Sequence, residues 1–512
     1  MQAEVRTQVL VVGAGPTGLS LACLLARYGV DFLLVERNAG ITPYSKALGV
    51  HARTLEIYDQ LGIAEEALRR GAVAGRVRFV AGGRVRGEAD LSRLGEGLSP
   101  FPFVLVLEQS RNEALLYEYL QALGGRVEWE TTLESFTQDA QGVRAVVRTP
   151  AGLRTVDADY LVGCDGARSA TRERLGLEFG GSTFERTFYV ADVVLDWPLS
   201  HDAIHVCFAP DSFVLCFPME GARRYRLVGV FPESFRKDEG QVLYEEIEAR
   251  VRAELRLPLE IDEVRWFSVY KVHTRHAGRF RLGRCFLAGD AAHIHSPAGA
   301  QGMNTGIQDA YNLAWKLALV LAGRAHPQLL ETYDAERRAN ARRLLVTTDR
   351  LFQLGAGRGW WLGVLRTRLF PRFARFVLGV SAINRRLFPL LSQIGIHYRD
   401  SALSDHEGDS DFAVRAGERM PFLEIEGGNL YHRLRSPRFH LLSFGDEAEA
   451  LHTHPELVEH HRLPLTRAVA ERFGTMDDFH VLLRPDHYIA SIGRDPPDAQ
   501  VGRYLERLRH GL

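Results

Sequence analysis

The stretch Val9-Leu10-Val11-Val12-Gly13-Ala14-Gly15-Pro16-Thr17-Gly18 constrains this chain more than any other. An apolar run of β type, Gln8 to Val12, enters a GxGxxG turn, and a helix is expected from Thr17 to Tyr28. Gly13 permits the tight turn out of the strand. Gly15 lets backbone approach a pyrophosphate, and Gly18 lets the helix pack on the sheet. The helix start, opened by Pro16 and Thr17, offers free N–H groups and the positive end of its dipole to phosphate. A second β-type run, Phe32 to Val35, ends in Glu36-Arg37, with the acid 18 residues after Gly18. That is close to where a carboxylate holds ribose hydroxyls. Strand, turn, helix and acid in register predict a Rossmann-like dinucleotide site rather than a glycine-rich turn without a ligand.

A chain of 512 residues exceeds one core, so two or three domains are expected. A net charge of −1 provides no global field for nucleic acid. Cys23, Cys164, Cys207, Cys216 and Cys285 are scattered and form no CxxC. That spacing points to a reducing, cytoplasmic setting and away from a zinc or dithiol site. The N-terminal apolar run feeds a glycine turn instead of a cleavage site, so no signal peptide is expected. No uncharged stretch reaches the ~18 apolar residues of a membrane span. The helix around Ile307 to Val320 carries Asp309 and Lys316, which makes it a core helix.

The dinucleotide domain is expected over 1–75, 105–175 and 272–345. It opens as β-α-β, continues through a helix Thr54 to Leu68, and resumes with a helix Gln109 to Leu123. Residues 76–104 and 176–271 carry period-two runs, including Phe188 to Ala191, Ile204 to Phe208, Phe213 to Phe217 and Tyr225 to Phe231. They predict an inserted antiparallel sheet with one helix, Gln241 to Glu254. Phe213, Leu215, Phe217, Leu227, Val228 and Val230 are expected to form one wall of a dry pocket. Residues 346–400 read as a helical linker. Leu351 to Arg399 holds eight arginines and no Asp or Glu, which fits a linker packed on the first domain or an interface with a partner or an anionic surface. Residues 401–512 read as a small α/β domain, with His452, His454, His460 and His461 in a solvated polar loop.

The second motif is Phe286-Leu287-Ala288-Gly289-Asp290-Ala291-Ala292-His293, continuing through Pro297-Ala298-Gly299-Ala300-Gln301-Gly302-Met303-Asn304. It is a strand ending in an acid, then a loop of small residues on which a flat ring can lie. A helix starting near Gly302 would aim about half a positive charge at that ring. His293 and His295 form HxH. No acidic or cysteine cluster joins them, so hydrogen bonding in the loop is expected and no metal site.

With Asp165-Gly166 between them, the two motifs resemble the class A flavoprotein aromatic hydroxylases. Further matches are Ser45-Lys46-Ala47, Arg53-Thr54-Leu55-Glu56, Glu108-Gln109 and the run Val481 to Ala490. The last resembles the end of the thioredoxin-like domain found in the phenol and polyketide hydroxylase branches. The resemblance implies an α/β fold: a Rossmann-like FAD domain, an inserted substrate sheet, and a thioredoxin-like C-terminal domain. It implies bound FAD, transient NADPH or NADH, and O2 delivered to an aromatic ring through a flavin C4a-hydroperoxide. Gly13, Gly15, Gly18, Glu36 and the Leu133 backbone would hold the ADP half. Lys46 would lie near the flavin and pyrophosphate, and Gln109 near the ribityl chain or ring. Asp165 would serve FAD and nicotinamide access. Gly289 and Asp290 would hold the ribityl chain and pyrophosphate, and Pro297 would sit over the flavin face near the oxygen site. Gly299, Gly302, Met303 and Asn304 would lie at the N1/O2 edge. Tyr225, Tyr270 and Arg226 are candidates to touch a phenol, and no catalytic base is assigned. The only full dinucleotide fingerprint is at residues 13–18, so the nicotinamide cofactor is expected to dock without its own Rossmann domain. A homo-oligomer is compatible with the chain. Two other readings keep the cofactor: a halogenase or isoprenoid reductase, and a flavin-fold protein that binds an aromatic without turnover. The chain lacks the Trp-x-Trp-x-Ile-Pro run of halogenases.

Overall fold

The computed structural model describes residues 5–43, 45, 47–209, 212–231, 242–295, 300–356, 381–445 and 450–512, with 185, 346–356 and 381–382 as backbone only. Its first sheet has a parallel centre. Val5–Val12 lies between Gly152–Gly163 and Phe32–Val35, and Cys285–Leu287 extends the far side. Val9, Leu10 and Val11 are fully buried, as expected of a parallel strand covered on both faces. The register aligns Val35, Val12, Gly163 and Leu287 in one row across the sheet. The residues that follow each of them therefore leave the same edge together: Glu36, Gly13, Cys164-Asp165 and Ala288-Gly289. In an open α/β sheet that carboxyl edge is where ligands bind.

The second sheet contains Arg84–Asp90, Arg76–Ala81, Ala203–Phe208, Phe213–Pro218, Arg224–Val230, Phe179–Asp196, Glu260–Ala277 and His293–Ile294, in that order. It is mixed rather than wholly antiparallel, because Ala203–Phe208 runs parallel to Arg76–Ala81. Strand alternation gives it two faces. Tyr189, Ala191, Val214, Cys216, Tyr225 and Leu227 pack with Ile247, Val251 and Leu255 of helix Tyr244–Leu255. Leu227 thus leaves the wall proposed for it, since it is offset by one residue from Val228. The other face, with Phe213, Leu215, Phe217 and Val228, stays half-buried. The short strand His293–Ile294 joins this sheet through Arg275 and His276, which fastens it to the segment after Gly289.

The helix expected from Thr54 to Leu68 is two helices, Ala52–Leu61 and Ala64–Arg70. Gly62 ends the first in the left-handed region at φ 79°, the usual helix stop. All five cysteines are buried free thiols. The C-terminal sheet has the order Val458–Leu463, Phe439–Phe444, Phe479–Leu483, Ile489–Gly493, with the first two parallel and the rest antiparallel. Helices Arg467–Phe473 and Pro497–His510 accompany it. The arrangement is consistent with a thioredoxin-like unit. His460 and His461 stand on its edge strand, not in a polar loop. Residues 357–380 of the arginine-rich segment fall outside the described residues. Among those described, no helix is long and apolar enough to cross a membrane.

Candidate cofactor and substrate site

Helix Pro16–Arg27 begins at Gly15 without a side-chain cap. Its first N–H groups are therefore not taken by a capping side chain. Gly13 has φ 102°, and a Cβ on it would lie 2.5 Å from the Cys164 carbonyl oxygen. A Cβ on Gly18 would lie 1.8 Å from the Gly13 carbonyl oxygen, whereas one on Gly15 would meet nothing within 4 Å. Two of the glycines are fixed by packing, and the third faces open room at a helix N-terminus, as a pyrophosphate requires. Glu36 lies beside this turn. One carboxylate oxygen accepts from Ala14 N at 2.8 Å, and the other from Asn38 N at 3.0 Å and Asn38 Nδ2 at 2.6 Å. A carboxylate has about four acceptor sites, so one remains for a ribose hydroxyl. Arg37 is exposed beside it. Thr131 N donates to the Glu36 carbonyl, and the Leu133 side chain is buried in the core nearby.

The second motif meets the first at one hydroxyl. A Cβ on Gly289 (φ 61°) would lie 2.4 Å from Thr17 Oγ1, and a Cβ on Gly306 would lie 2.3 Å from the same atom. Thr17 thus fills the space that two distant glycines leave. Asp290 follows on a short turn, Gly289–Ala291, and is exposed. Asp165 turns back on its own segment, accepting from Ser169 Oγ at 2.5 Å, Thr171 N at 2.9 Å and Thr171 Oγ1 at 3.0 Å. It shapes the turn through Gly166 and starts the following helix.

Helix Gly302–Leu321 begins at Gln301, also without a side-chain cap. A Cβ on Gly302 would meet nothing within 4 Å. Asn304 is fully buried and uses its whole amide. It accepts from His51 N at 2.9 Å and Thr54 Oγ1 at 2.7 Å, and donates to the carbonyls of Gly49 at 2.8 Å and Ala300 at 2.9 Å. Its side chain therefore anchors residues 49–54 to the helix start. Met303 is half-buried, with its sulfur 3.6 Å from Asn112 Nδ2. Gln109 opens helix Gln109–Ala122, accepting from Ala47 N at 3.2 Å and donating to Glu113 at 2.8 Å. Lys46, Pro297 and Gly299 lie outside the described residues.

A buried polar chain supports this edge. His295 Nε2 and His293 Nδ1 share a hydrogen bond at 2.7 Å, and His293 Nε2 donates to Asp309 at 2.6 Å. Asp309 also accepts from Gly289 N at 3.0 Å and Arg337 Nε at 2.6 Å, and Arg337 donates to the Tyr398 hydroxyl at 2.7 Å. The HxH pair therefore serves hydrogen bonding. Burial pushes the Asp309 carboxyl up, but Arg337 and His293 outweigh it and hold it at about 2. Burial, with His293 beside it, drives His295 well below the ordinary imidazole range.

Further along the same helix, Lys316 and Arg484 both bind Glu336, at 2.8 Å and 2.7 Å, and Arg484 binds Asp486 at 2.6 Å. Burial pulls the Lys316 ammonium down to about 8 against the attraction of Glu336. Arg53 binds Glu56 at 3.0 Å, and Glu56 binds Arg419 at 3.1 Å. The C-terminal unit is thus tied by buried charge to the helices of the first sheet. The sequence reading missed these partners; its one signal was Asp309 and Lys316 inside an apolar helix.

The half-buried face of the second sheet adjoins this edge. Phe217 packs with Leu48 and Val104, and a Cβ on the adjacent Gly49 would lie 2.8 Å from the Ala300 Cβ. Tyr270 lies on that face with Phe188 and Phe213, and burial raises its hydroxyl to about 12. Arg226 is held by Asp192 through two contacts of 2.6 Å. Tyr225 packs on the opposite face, against helix Tyr244–Leu255.

A family model described as FAD binding domain matches residues 6–348. The chain is 37% identical over 462 residues to 6-methylpretetramide 4-monooxygenase of Streptomyces rimosus, covering 86% of this chain and 80% of that protein. It is 34% identical over 509 residues to 12-dehydrotetracycline 5-monooxygenase/anhydrotetracycline 6-monooxygenase of Streptomyces rimosus, covering 94% and 95%. The solved structure of OxyS anhydrotetracycline hydroxylase from Streptomyces rimosus superposes with a TM-score of 0.76 at 30% identity, covering 99% of this chain and 100% of that one.

Proposed function

We propose, because the chain belongs to the class A FAD-dependent aromatic hydroxylases, that it hydroxylates a phenolic or polycyclic aromatic compound with NAD(P)H and O2. Its cofactor is FAD. The observation that carries the reading is the meeting of the two motifs at Thr17, beside a half-buried apolar sheet face. The relatives named for 6-methylpretetramide and anhydrotetracycline favour the polycyclic end of the substrate class.

Bound FAD would supply hydride acceptance from NAD(P)H and activation of O2, so that one oxygen atom enters the ring and the other leaves as water. The protein's part is binding, orientation and water exclusion. The backbone around Gly15 and Thr17 would hold the pyrophosphate. Glu36 would accept from the adenosine ribose and Asp290 from the ribityl chain. Lys46, Gln109, the Leu133 backbone, Pro297 and Gly299 would take the roles that the resemblance implies for them, whereas Asp165 orders the turn through Gly166. The start of helix Gly302–Leu321 would stabilise negative charge at the ring edge. Phe213, Leu215, Phe217 and Val228 would keep the reacting centre dry. Tyr270, whose hydroxyl burial raises to about 12, would face the substrate as a neutral phenol.

The test is turnover under 18O2 with a panel of phenols and polycyclic aromatics. A substrate should accelerate NAD(P)H oxidation and leave with one labelled oxygen atom. Absence of label from every product across the panel would refute the hydroxylase reading, whereas NAD(P)H consumption that yields only peroxide would mark the tested aromatic as an effector rather than a substrate.

A further inference from the structure

We propose that His440, Glu459 and His461 form a binding site for a divalent transition metal of the zinc type on the C-terminal sheet. Phe439–Phe444 and Val458–Leu463 are parallel neighbours, with His440 opposite Glu459. His461 follows Glu459 by two residues, so the three side chains share one face. His440 Nδ1 is 3.0 Å from His461 Nε2, and His461 Nε2 is 3.9 Å from Glu459 Oε1. All three ligand atoms lie within 4.8 Å of one another. A tetrahedral ion with bonds of about 2.0–2.1 Å spaces its ligands about 3.4 Å apart. The observed separations bracket that value.

The groups behind the cluster strengthen the assignment. His440 Nε2 donates to the Ser436 carbonyl at 3.2 Å, which leaves the lone pair on Nδ1, the atom facing the cluster. The Ser436 hydroxyl donates to the other oxygen of Glu459. One residue thus orients both the imidazole and the carboxylate, the kind of outer support that metal-binding histidines use. His440 is fully buried, whereas the Glu459 side chain is 38% exposed, so an ion and a water ligand can reach the cluster from that side. A bound ion would pin the edge strand to its neighbour.

The test uses untagged, FAD-loaded protein dialysed against chelator and titrated with Zn2+ and, separately, Co2+. Elemental analysis should find stoichiometric Zn2+. Co2+ should give tetrahedral ligand-field bands to the red of the flavin absorption. His461→Ala and Glu459→Gln should each weaken binding at least ~10-fold with flavin content unchanged. Both positions lie on a partly exposed edge strand, so they carry the test even if a His440 variant misfolds. Absence of stoichiometric binding, or binding that His461→Ala leaves unchanged, would mean the two histidines merely share a hydrogen bond, and would overturn the proposal. The 18O2 experiment does not depend on this site, so the two readings fail separately.

Discussion

Replacing Gly306 by Ala tests the joint between the two motifs. In a helix interior the change is intrinsically favourable by about 1 kcal/mol. Here the new Cβ would lie 2.3 Å from Thr17 Oγ1 and 3.2 Å from Gly289 Cα. Overpacking of that kind costs about 1–3 kcal/mol. The single variant should therefore be destabilised by about 0–2 kcal/mol. Thr17→Ala deletes the clashing oxygen. In that background the tightest remaining contact is the one to Gly289 Cα, which a shift of a few tenths of an ångström relieves. Gly306→Ala should then be neutral or stabilising by up to ~1 kcal/mol. The double-mutant cycle should accordingly show a favourable coupling of about 1–2 kcal/mol, above the ~0.3–0.5 kcal/mol scatter of independent sites. Urea titration followed by the rise of flavin fluorescence on release reads the transition at the site itself. Additive effects would refute the contact, and with it the claim that Thr17 joins the two motifs.

The Asp309 carboxyl stands at about 2 against an ordinary 3.8, so its stabilisation is complete above pH 4 and lost as pH falls toward 2. The shift corresponds to about 2 kcal/mol. Asp309→Asn should flatten the stability-against-pH curve in that window, and curves that stay parallel would contradict the assignment. Arg484→Met leaves Glu336 and Asp486 buried without their shared cation and should cost about 3–5 kcal/mol, measured by urea unfolding. Adding Glu336→Gln should recover part of that loss. A cost below ~1 kcal/mol for the single change would mean the network carries no net charge coupling.

What could be read from the residues follows from how local each signal is. The turn at Gly13, Gly15 and Gly18 was legible because each glycine answers a local constraint. The row Val35–Val12–Gly163–Leu287 was not, since register depends on strands far apart in the chain. Strand Glu260–Ala277 escaped notice because its first half is exposed and charged, which hides the period-two signal. Asp309 marked its helix as a core element, but its partner Arg337 is set by helix packing. The apolar run Leu227-Val228 conceals the alternation that turns Leu227 toward helix Tyr244–Leu255. The resemblance alone implies ligand contacts for Asn304 and Asp165. Their hydrogen bonds show an anchoring function that no motif discloses.

The proposed function requires one FAD held at its adenosine half by Glu36 and the first glycine turn, and at its ribityl half by Asp290. Calorimetric titration of flavin-stripped protein with FAD, ADP and FMN tests it most directly. Glu36→Ala should weaken FAD and ADP alike and leave FMN unchanged. Asp290→Ala should weaken FAD and FMN and leave ADP unchanged. Equal losses for all three ligands in both variants, or none in either, would contradict the account.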